Sequence, residues 1–440
     1  MSGSSQRTTQ HIDGDSLSNR GLLASMLAPL RKRDFCLLVG GQAISTLGDM
    51  LYAVALPWFM LTSGQGVPAL TAVLTAYGVP RIACFPVGGM LSDRFHPRRV
   101  MLFSDVIRAL LLVVFTGLVL QGNPALWQLC IIGAFLGSFT GLFLPASFAI
   151  LPDLLPDQDL QAGNALNFST IQLAIALGPA LAGIIVSRFQ PGIAFALDGL
   201  SFVLSALTLF MMRRTPLGST KAAVADQETG DVQAATAIIP DETHQVRQTF
   251  WQYVAGTRLL QVALMIIVAL NITFGGLTEV ALPALARGPF HGGASGFGFM
   301  LAAFGFGALL GSVGAGALGH IRHRCITALL LTLAQSIGFA VVPLTGQVTG
   351  AAVVLGVAGV ANGLTNVLFF TLVQQQVPRY LLGSVMGALL MASLGLYPLS
   401  VILGGFVTTH FGPSVMFPLG LLLAPFPILF GLLQRELWEI

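Results

Sequence analysis

The sequence predicts an all-α polytopic membrane protein: twelve transmembrane helices arranged as two pseudo-symmetric six-helix halves. Hydrophobic residues make up 55% of the 440 and charged residues only 9%. The mean hydropathy is +0.82, and the apolar share exceeds the roughly 45–50% of soluble domains. Apolar blocks of about 20 residues recur, each long enough to cross a ~30 Å hydrocarbon layer as a helix. They are apolar on every face, whereas the strands of a membrane barrel alternate. One long polar stretch divides the blocks into two sets of six.

Each span is bounded by charge, Gly or Pro, the residues that end apolar helices. The first (35–61) follows Arg31-Lys32-Arg33, and the second (68–91) runs from Pro68 to the charges at Asp93 and Arg94. The third (99–121) ends in QGNP at 121–124, and the fourth (125–150) stops before Pro152-Asp153. The fifth (161–187) ends at RFQPG, 188–192, and the sixth (191–212) at Arg213-Arg214. The seventh (261–286) ends at Arg287-Gly288-Pro289, and the eighth (294–318) lies between Gly293 and His320. The ninth (325–345) closes on Gly346, and the tenth (348–373) precedes Pro378. The eleventh (382–409) and twelfth (412–433) meet at Gly412-Pro413.

This organisation predicts a tail at 1–34, a six-helix half at 35–212, a linker at 213–250, a second half at 251–433 and a tail at 434–440. The linker holds five acids, a lysine and no apolar run, the composition of a solvated segment. The patch LLASMLAPL near the start precedes its basic residues, the reverse of a cleaved signal. Cys36, Cys84, Cys130 and Cys325 stand singly inside apolar segments and are read as small core residues.

The basic residues set the expected orientation. Arg31, Lys32, Arg33, Arg94, Arg98, Arg99, Arg213, Arg214, Arg322, Arg324, Arg379 and Arg435 flank one set of loops, and the opposite set carries only Arg188 and Arg287. Positive residues stay cytoplasmic, so both termini and the linker are expected in the cytoplasm of a cell with this protein in its inner (plasma) membrane. The net charge of +3 follows from that placement and says nothing about nucleic acid.

The halves repeat one another. VALP at 54–57 recurs at 280–283, and the same offset of 226 sets Gly88 on Gly314 and Arg98 on Arg324. LLPDQDLQAGNAL at 154–166 has a looser echo in QVPRYLLGSVMGAL at 376–389. A duplicated six-span unit implies a two-fold-like axis along the membrane normal and a cavity between the halves.

The stretch GGMLSDRFHPRR at 88–99 resembles motif A of the major facilitator superfamily, Gly-x-Leu-x-Asp-Arg followed by basic residues. Gly89, Leu91, Asp93 and Arg94 match, His96-Pro97 replaces the family's next glycine, and the basic pair falls at Arg98 and Arg99. In the second half GAGALGHIRHRC, 314–325, has Gly319 in place of the acid. The resemblance implies the twelve-helix fold of that family and a conformational latch, in which Asp93 docks at the start of the eleventh span near Arg379–Gly383. Physically, a carboxylate there accepts from the open N–H groups of a helix start. The alternative is that the arginines only set topology.

ISTLGDMLYAVALPW, SDVIRAL, ILPDLLPDQDLQAGNALN and FALDGLSFVLSAL resemble one branch of that family, bacterial exporters related to enterobactin and macrolide-efflux proteins. GPALAG at 178–183 resembles motif C, associated there with antiporters. Gly178, Pro179 and Gly183 match, and a helix kink without coupling meaning is the other reading. The fourth-span arginine typical of proton-coupled drug exporters is absent.

Ionisable groups at membrane depth cost about 2.5–3.5 kcal/mol or more and need a reason to be there. Asp49 lies roughly 21 Å into span one and Arg81 roughly 15 Å into span two, depths at which the two can pair. Asp105 and Arg108, three apart on one helix, are expected to pair as a structural unit. Asp198 falls near the outer end of span six, within reach of water, and is read as structural. Glu279 lies roughly 10 Å below the outer end of span seven, with no cation earlier in its helix. The resemblance puts spans one and seven on the cavity, so Asp49 and Glu279 are candidates for coupling or substrate binding. Arg81, Asn271, Asn362, Asn366 and Gln374 are the further cavity candidates, with helix packing as the alternative use of the amides.

No GxSxG, HExxH or Walker A sequence occurs, so no enzyme activity, cofactor or metal is expected. The expected function is a secondary active transporter. The leading form is a proton antiporter, acting as a monomer in the lipid bilayer, that exports a hydrophobic or amphipathic small molecule of drug, macrolide or siderophore type. A proton-coupled uptake symporter and a non-transporting membrane sensor or scaffold are the alternatives.

Overall fold

The computed structural model describes residues 28–122, 124–213, 256–317, 323–377, 379–423 and 425–433. The terminal tails, nearly all of the linker and Gly319 lie outside the described residues. Among the described residues all regular structure is helical, and twelve helices are long and apolar enough to cross a membrane.

The first half holds α1 (Arg33–Thr62), α2 (Gly66–Phe95), α3 (Pro97–Leu120), α4 (Leu126–Ala149), α5 (Asp157–Arg188) and α6 (Pro191–Met211). Pro97 and Pro191 occupy first-turn positions, where a missing N–H is harmless. In the second half α7 runs Arg258–Gly276, widens into a π turn at Leu277–Ala281 and ends as Leu282–Arg287. Pro283 explains the widening, because it has no N–H for the carbonyl of Glu279 four residues earlier. Then follow α8 (Gly293–Ala317), α9 (Arg324–Val341) and α10 (Val348–Gln376). The eleventh is interrupted once, at Leu396, so that α11 comprises Arg379–Gly395 and Tyr397–Phe411, and α12 is described over Pro413–Leu423 and Pro425–Leu433.

The duplication seen in the sequence is repeated in the backbone. Each helix of the first half starts 222 to 227 residues before its counterpart, from Arg33 against Arg258 to Pro191 against Pro413. The turns correspond as well. Gly66 (φ 79°) matches Gly293 (φ 67°), and His96 (φ 75°) matches His323 (φ 62°).

His96 stands where motif A has glycine, and its backbone keeps the conformation that glycine adopts freely, at φ 75° and ψ 130°. Its ring reaches Asp153, with Nε2 to Oδ2 at 3.8 Å. Strain of this kind costs of order 1–3 kcal/mol, more than a surface ion pair of ~0–1 kcal/mol contributes. His96→Gly is therefore expected to raise the thermal midpoint of the detergent-purified protein. A lowered midpoint would show that the contact with Asp153 outweighs the strain.

We call basal the end at which α1 starts and α6 ends, and distal the opposite end. One apolar core crosses both halves towards the distal end, joining Val54, Leu56 and Phe195 of the first half to Leu282, Phe297 and Met416 of the second. Towards the basal end the core divides. Phe35, Met101 and Leu155 cluster in the first half, while the second keeps separate groups around Leu329 and around Val385. The halves thus meet distally and part basally.

Bare backbone makes the distal contact. A Cβ on Gly183 of α5 would lie 2.9 Å from the carbonyl oxygen of Ala294 and 3.1 Å from the Cα of Gly298, both on α8. A Cβ on Gly298 would collide with the carbonyl of Pro179, and one on Gly405 of α11 with Thr71 of α2.

Candidate functional site

Two adjoining cavities occupy the space beneath the distal contact. The larger, about 450 Å³, lies within the second half and is walled by α7, α9, α10 and α11. The smaller, about 190 Å³, is closed by α2 of the first half on one side and by α7 and α11 on the other. Asn271, Phe274 and Ser393 line both, so the two are neighbours across these three residues.

The smaller cavity holds the ionisable groups. Close approach of α7 and α11 builds its second-half wall: a Cβ on Gly276 would lie 2.8 Å from the Cα of Gly404, and the Gly276 N–H donates to Ser400 Oγ at 2.9 Å. That approach places Tyr397 against the π turn, where its hydroxyl donates to Glu279 Oε2. The Tyr397 ring also rests on the first half, in space left by Gly78 of α2, where a Cβ would come within 2.8 Å.

One helical turn along α2, Arg81 enters the same cavity. Its guanidinium lies 5.8 Å from the Tyr77 ring, and its Nε is buried without a hydrogen-bond partner among the described residues. Three ionisable groups, Arg81 from one half and Glu279 and Tyr397 from the other, therefore share one small chamber. Tyr397 is the member that sequence reasoning missed. A tyrosine beside a helix break, GLYP at 395–398, was the available signal.

Asp49 is placed differently from the expectation. It lines neither cavity, and it forms no ion pair with Arg81. Matching depth did not bring the pair together, because depth leaves the rotation of each helix about its axis undetermined. Asp49 instead sits inside the first half, within the electrostatic reach of Arg108 as well as Arg81. Asp198, expected within reach of water, is 1% exposed. It packs on α1, where a Cβ at Gly48 would lie 2.5 Å from its Oδ1.

Asp105 and Arg108 face each other on α3 in a fully buried ion pair. Ser205 of α6 donates to Asp105 Oδ2 at 2.7 Å, and the guanidinium lies 4.5 and 4.1 Å from the rings of Phe143 and Phe202.

Of the four amides expected at the cavity, Asn271, Asn362 and Asn366 line the larger chamber. Gln374 does not; it is exposed near the basal end of α10. At ~100° per residue it stands about 120° round the helix from Asn362, off the cavity stripe. Gln335 of α9 and Thr365 of α10 line the chamber instead.

The motif A residues divide. Gly88 packs α2 on α4, where a Cβ would lie 2.7 Å from the carbonyl oxygen of Leu142, whereas Gly89 faces open space and plays no part in that packing. Arg98 donates to the carbonyls of Leu209 (2.7 Å) and Phe210 (2.9 Å), tying the start of α3 to the end of α6. Asp93, Arg94 and Arg99 are exposed at the basal end, and Asp93 is in no ion pair among the described residues. The side chains of 379–383, its expected dock, lie outside those described. The second motif also divides: Gly178 packs α5 on Met50 of α1, while Pro179 and Gly183 meet α8 across the halves.

Comparison with known proteins places this arrangement. Residues 38–396 match the family model of the Major Facilitator Superfamily. The enterobactin exporter EntS of Shigella boydii is 26% identical over 352 residues, covering 78% of this chain and 77% of its own. The uncharacterized MFS-type transporter YfiS of Bacillus subtilis is 29% identical over 178 residues, 40% of this chain and 42% of its own, so that match spans less than half of the relative. Macrolide efflux protein A of Streptococcus pyogenes is 24% identical over 209 residues, covering 47% of this chain and 51% of its own. Among solved structures, a POT family transporter in complex with 5-aminolevulinic acid has a TM-score of 0.70 at 13% identity, covering 91% of this chain and 95% of its own. A D-xylose-proton symporter has a TM-score of 0.64 at 15% identity, covering 88% and 96%. With the family model spanning most of twelve apolar helices arranged as a duplicated unit, the chain belongs to the Major Facilitator Superfamily and is a multi-pass membrane transporter.

Proposed function

We propose that this protein is a proton-coupled antiporter that exports a hydrophobic or amphipathic small molecule from a bacterial cytoplasm. The observation that carries the proposal is the small chamber in which Arg81 of one half meets Glu279 and Tyr397 of the other. A protonatable carboxylate beneath a sealed distal end is in place to exchange its proton when the halves rock. The likeness to exporters of enterobactin and macrolides supports outward transport. The arginine-rich basal end is then cytoplasmic, the protein lies in the inner membrane, and the conformation is inward-open. A single chain encloses both cavities, in keeping with a monomer.

Purified protein in proteoliposomes with an imposed pH gradient tests this. Substrate should move against the direction of proton flow and stop when an ionophore collapses the gradient. Accumulation in the direction of proton flow would mark a symporter, and no movement of any tested compound a sensor.

The open basal end also defines the motif A proposal. Asp93 is exposed and in no ion pair among the described residues, and it is proposed to engage the start of α11 in the outward-open conformation. Asp93→Asn is expected to leave insertion intact, slow transport, and increase labelling of a cysteine engineered at the basal end. Normal turnover with unchanged labelling would reject the latch.

A further inference from the structure

The larger cavity presents more hydrogen-bonding capacity than the protein uses. Gln335 and Thr365 are 1% and 5% exposed, yet both line it. Asn366 Nδ2 donates to Asn362 Oδ1 at 3.1 Å, and Asn362 Nδ2 to Gln335 Oε1 at 3.4 Å, forming a row of amides from α10 to α9. Each amide offers two donors and two acceptor positions, and the row uses one donor from each asparagine. Buried polar groups are ordinarily satisfied, so the unused amide positions of this row point to a missing partner.

The opposite character surrounds the row. Phe274, Phe369 and Phe370 supply aromatic wall, and among the described residues no ionisable one lines this chamber. The charged groups stand in the smaller chamber, where Glu279 is held by Tyr397 and faces Arg81. A bulky ion of either sign would find no counter-charge in the space that fits it. In the small space it would meet a pair of opposite charges.

On the transporter reading above, we infer that the larger cavity binds an uncharged aromatic molecule carrying both hydrogen-bond donors and acceptors. Its ring lies against the phenylalanines and its polar edge along Gln335, Asn362 and Asn366. The proton site in the smaller chamber stays separate from the bound molecule.

Equilibrium binding to the full-length protein in nanodiscs, with no ion gradient, tests this. Three radiolabelled probes are compared: chloramphenicol, an uncharged nitroaromatic with hydroxyl and amide groups, tetraphenylphosphonium as cation, and salicylate as anion. Chloramphenicol is expected to bind saturably, with the ions at least about tenfold weaker. Asn362→Leu should weaken chloramphenicol about tenfold by leaving a polar ligand edge unpaired. Asn362→Asp should instead tighten tetraphenylphosphonium about tenfold, a gain that only folded protein can show. Equal binding of either ion, chloramphenicol binding that survives Asn362→Leu, no gain in the aspartate variant, or no binding of any probe would each overturn the inference. Because the assay contains no gradient, binding without transport would sink the antiporter reading alone. Gradient-driven export of tetraphenylphosphonium through this cavity would do the reverse.

Discussion

Glu279→Gln is expected to abolish gradient-driven accumulation, lowering it at least about tenfold, while exchange of substrate between two compartments of equal pH continues. Glutamine has nearly the shape of the protonated acid and still accepts from the Tyr397 hydroxyl, so the chamber keeps its form. What it loses is the exchangeable proton. Antiport needs the carboxylate to load on one side and unload on the other, whereas exchange needs only the rocking of the halves. The measurement is uptake into everted vesicles with and without a pH gradient, beside counterflow at equal pH. Asp49→Asn belongs in the same experiment, because Asp49 lines neither of these two cavities. A full loss in Asp49→Asn with a normal Glu279→Gln would move the coupling site into the first half.

Arg108→Leu carries the second large effect, on stability. The guanidinium is 2% exposed and Asp105 fully buried, so the substitution leaves a carboxylate with only Ser205 for company. Breaking a buried pair from one side costs about 3–5 kcal/mol, a large fraction of the ~5–15 kcal/mol that holds an ordinary domain together. Poor recovery of monodisperse protein and a strongly lowered thermal midpoint are expected. Asp105→Asn with Arg108→Met removes both charges and keeps a partner for Ser205. It should recover only part of the loss, since the field of Arg108 also reaches Asp49 and Asp198. A single variant with the wild-type midpoint would show that the pair is dispensable.

The sequence spoke clearly where one helix decides the matter. Spans were legible because a membrane demands long apolar runs, and the Asp105–Arg108 contact because spacing of three fixes two side chains on one face. It spoke less clearly where two helices must agree. Asp49 and Arg81 share a depth but form no ion pair, and Gln374 sits on the right helix at the wrong angle. Helices that are apolar all round carry little periodic signal to fix their rotation. Tyr397, Gln335 and Thr365 therefore emerged only once the packing of α7, α9, α10 and α11 was known. The glycines Gly276 and Gly404 show why: their role is defined by a partner 128 residues away.

The distal end closes by close van der Waals packing at glycines, backbone on backbone at Gly183 with Gly298 and backbone on the Thr71 side chain at Gly405, while the basal end displays Asp93, Arg94 and Arg99 to solvent. These two closures obey different laws. Van der Waals contact is indifferent to dissolved salt, but the reach of an exposed charge falls from ~10 Å at 0.1 M to ~3 Å at 1 M. Ionic strength therefore pulls on one clamp and not on the other. Raising it at constant osmolarity should tip the resting population towards the basally open form, and basal cysteine labelling should rise with salt in the wild type but stay flat in Asp93→Asn. The membrane thus separates two faces of one machine with unequal sensitivity to the water around them.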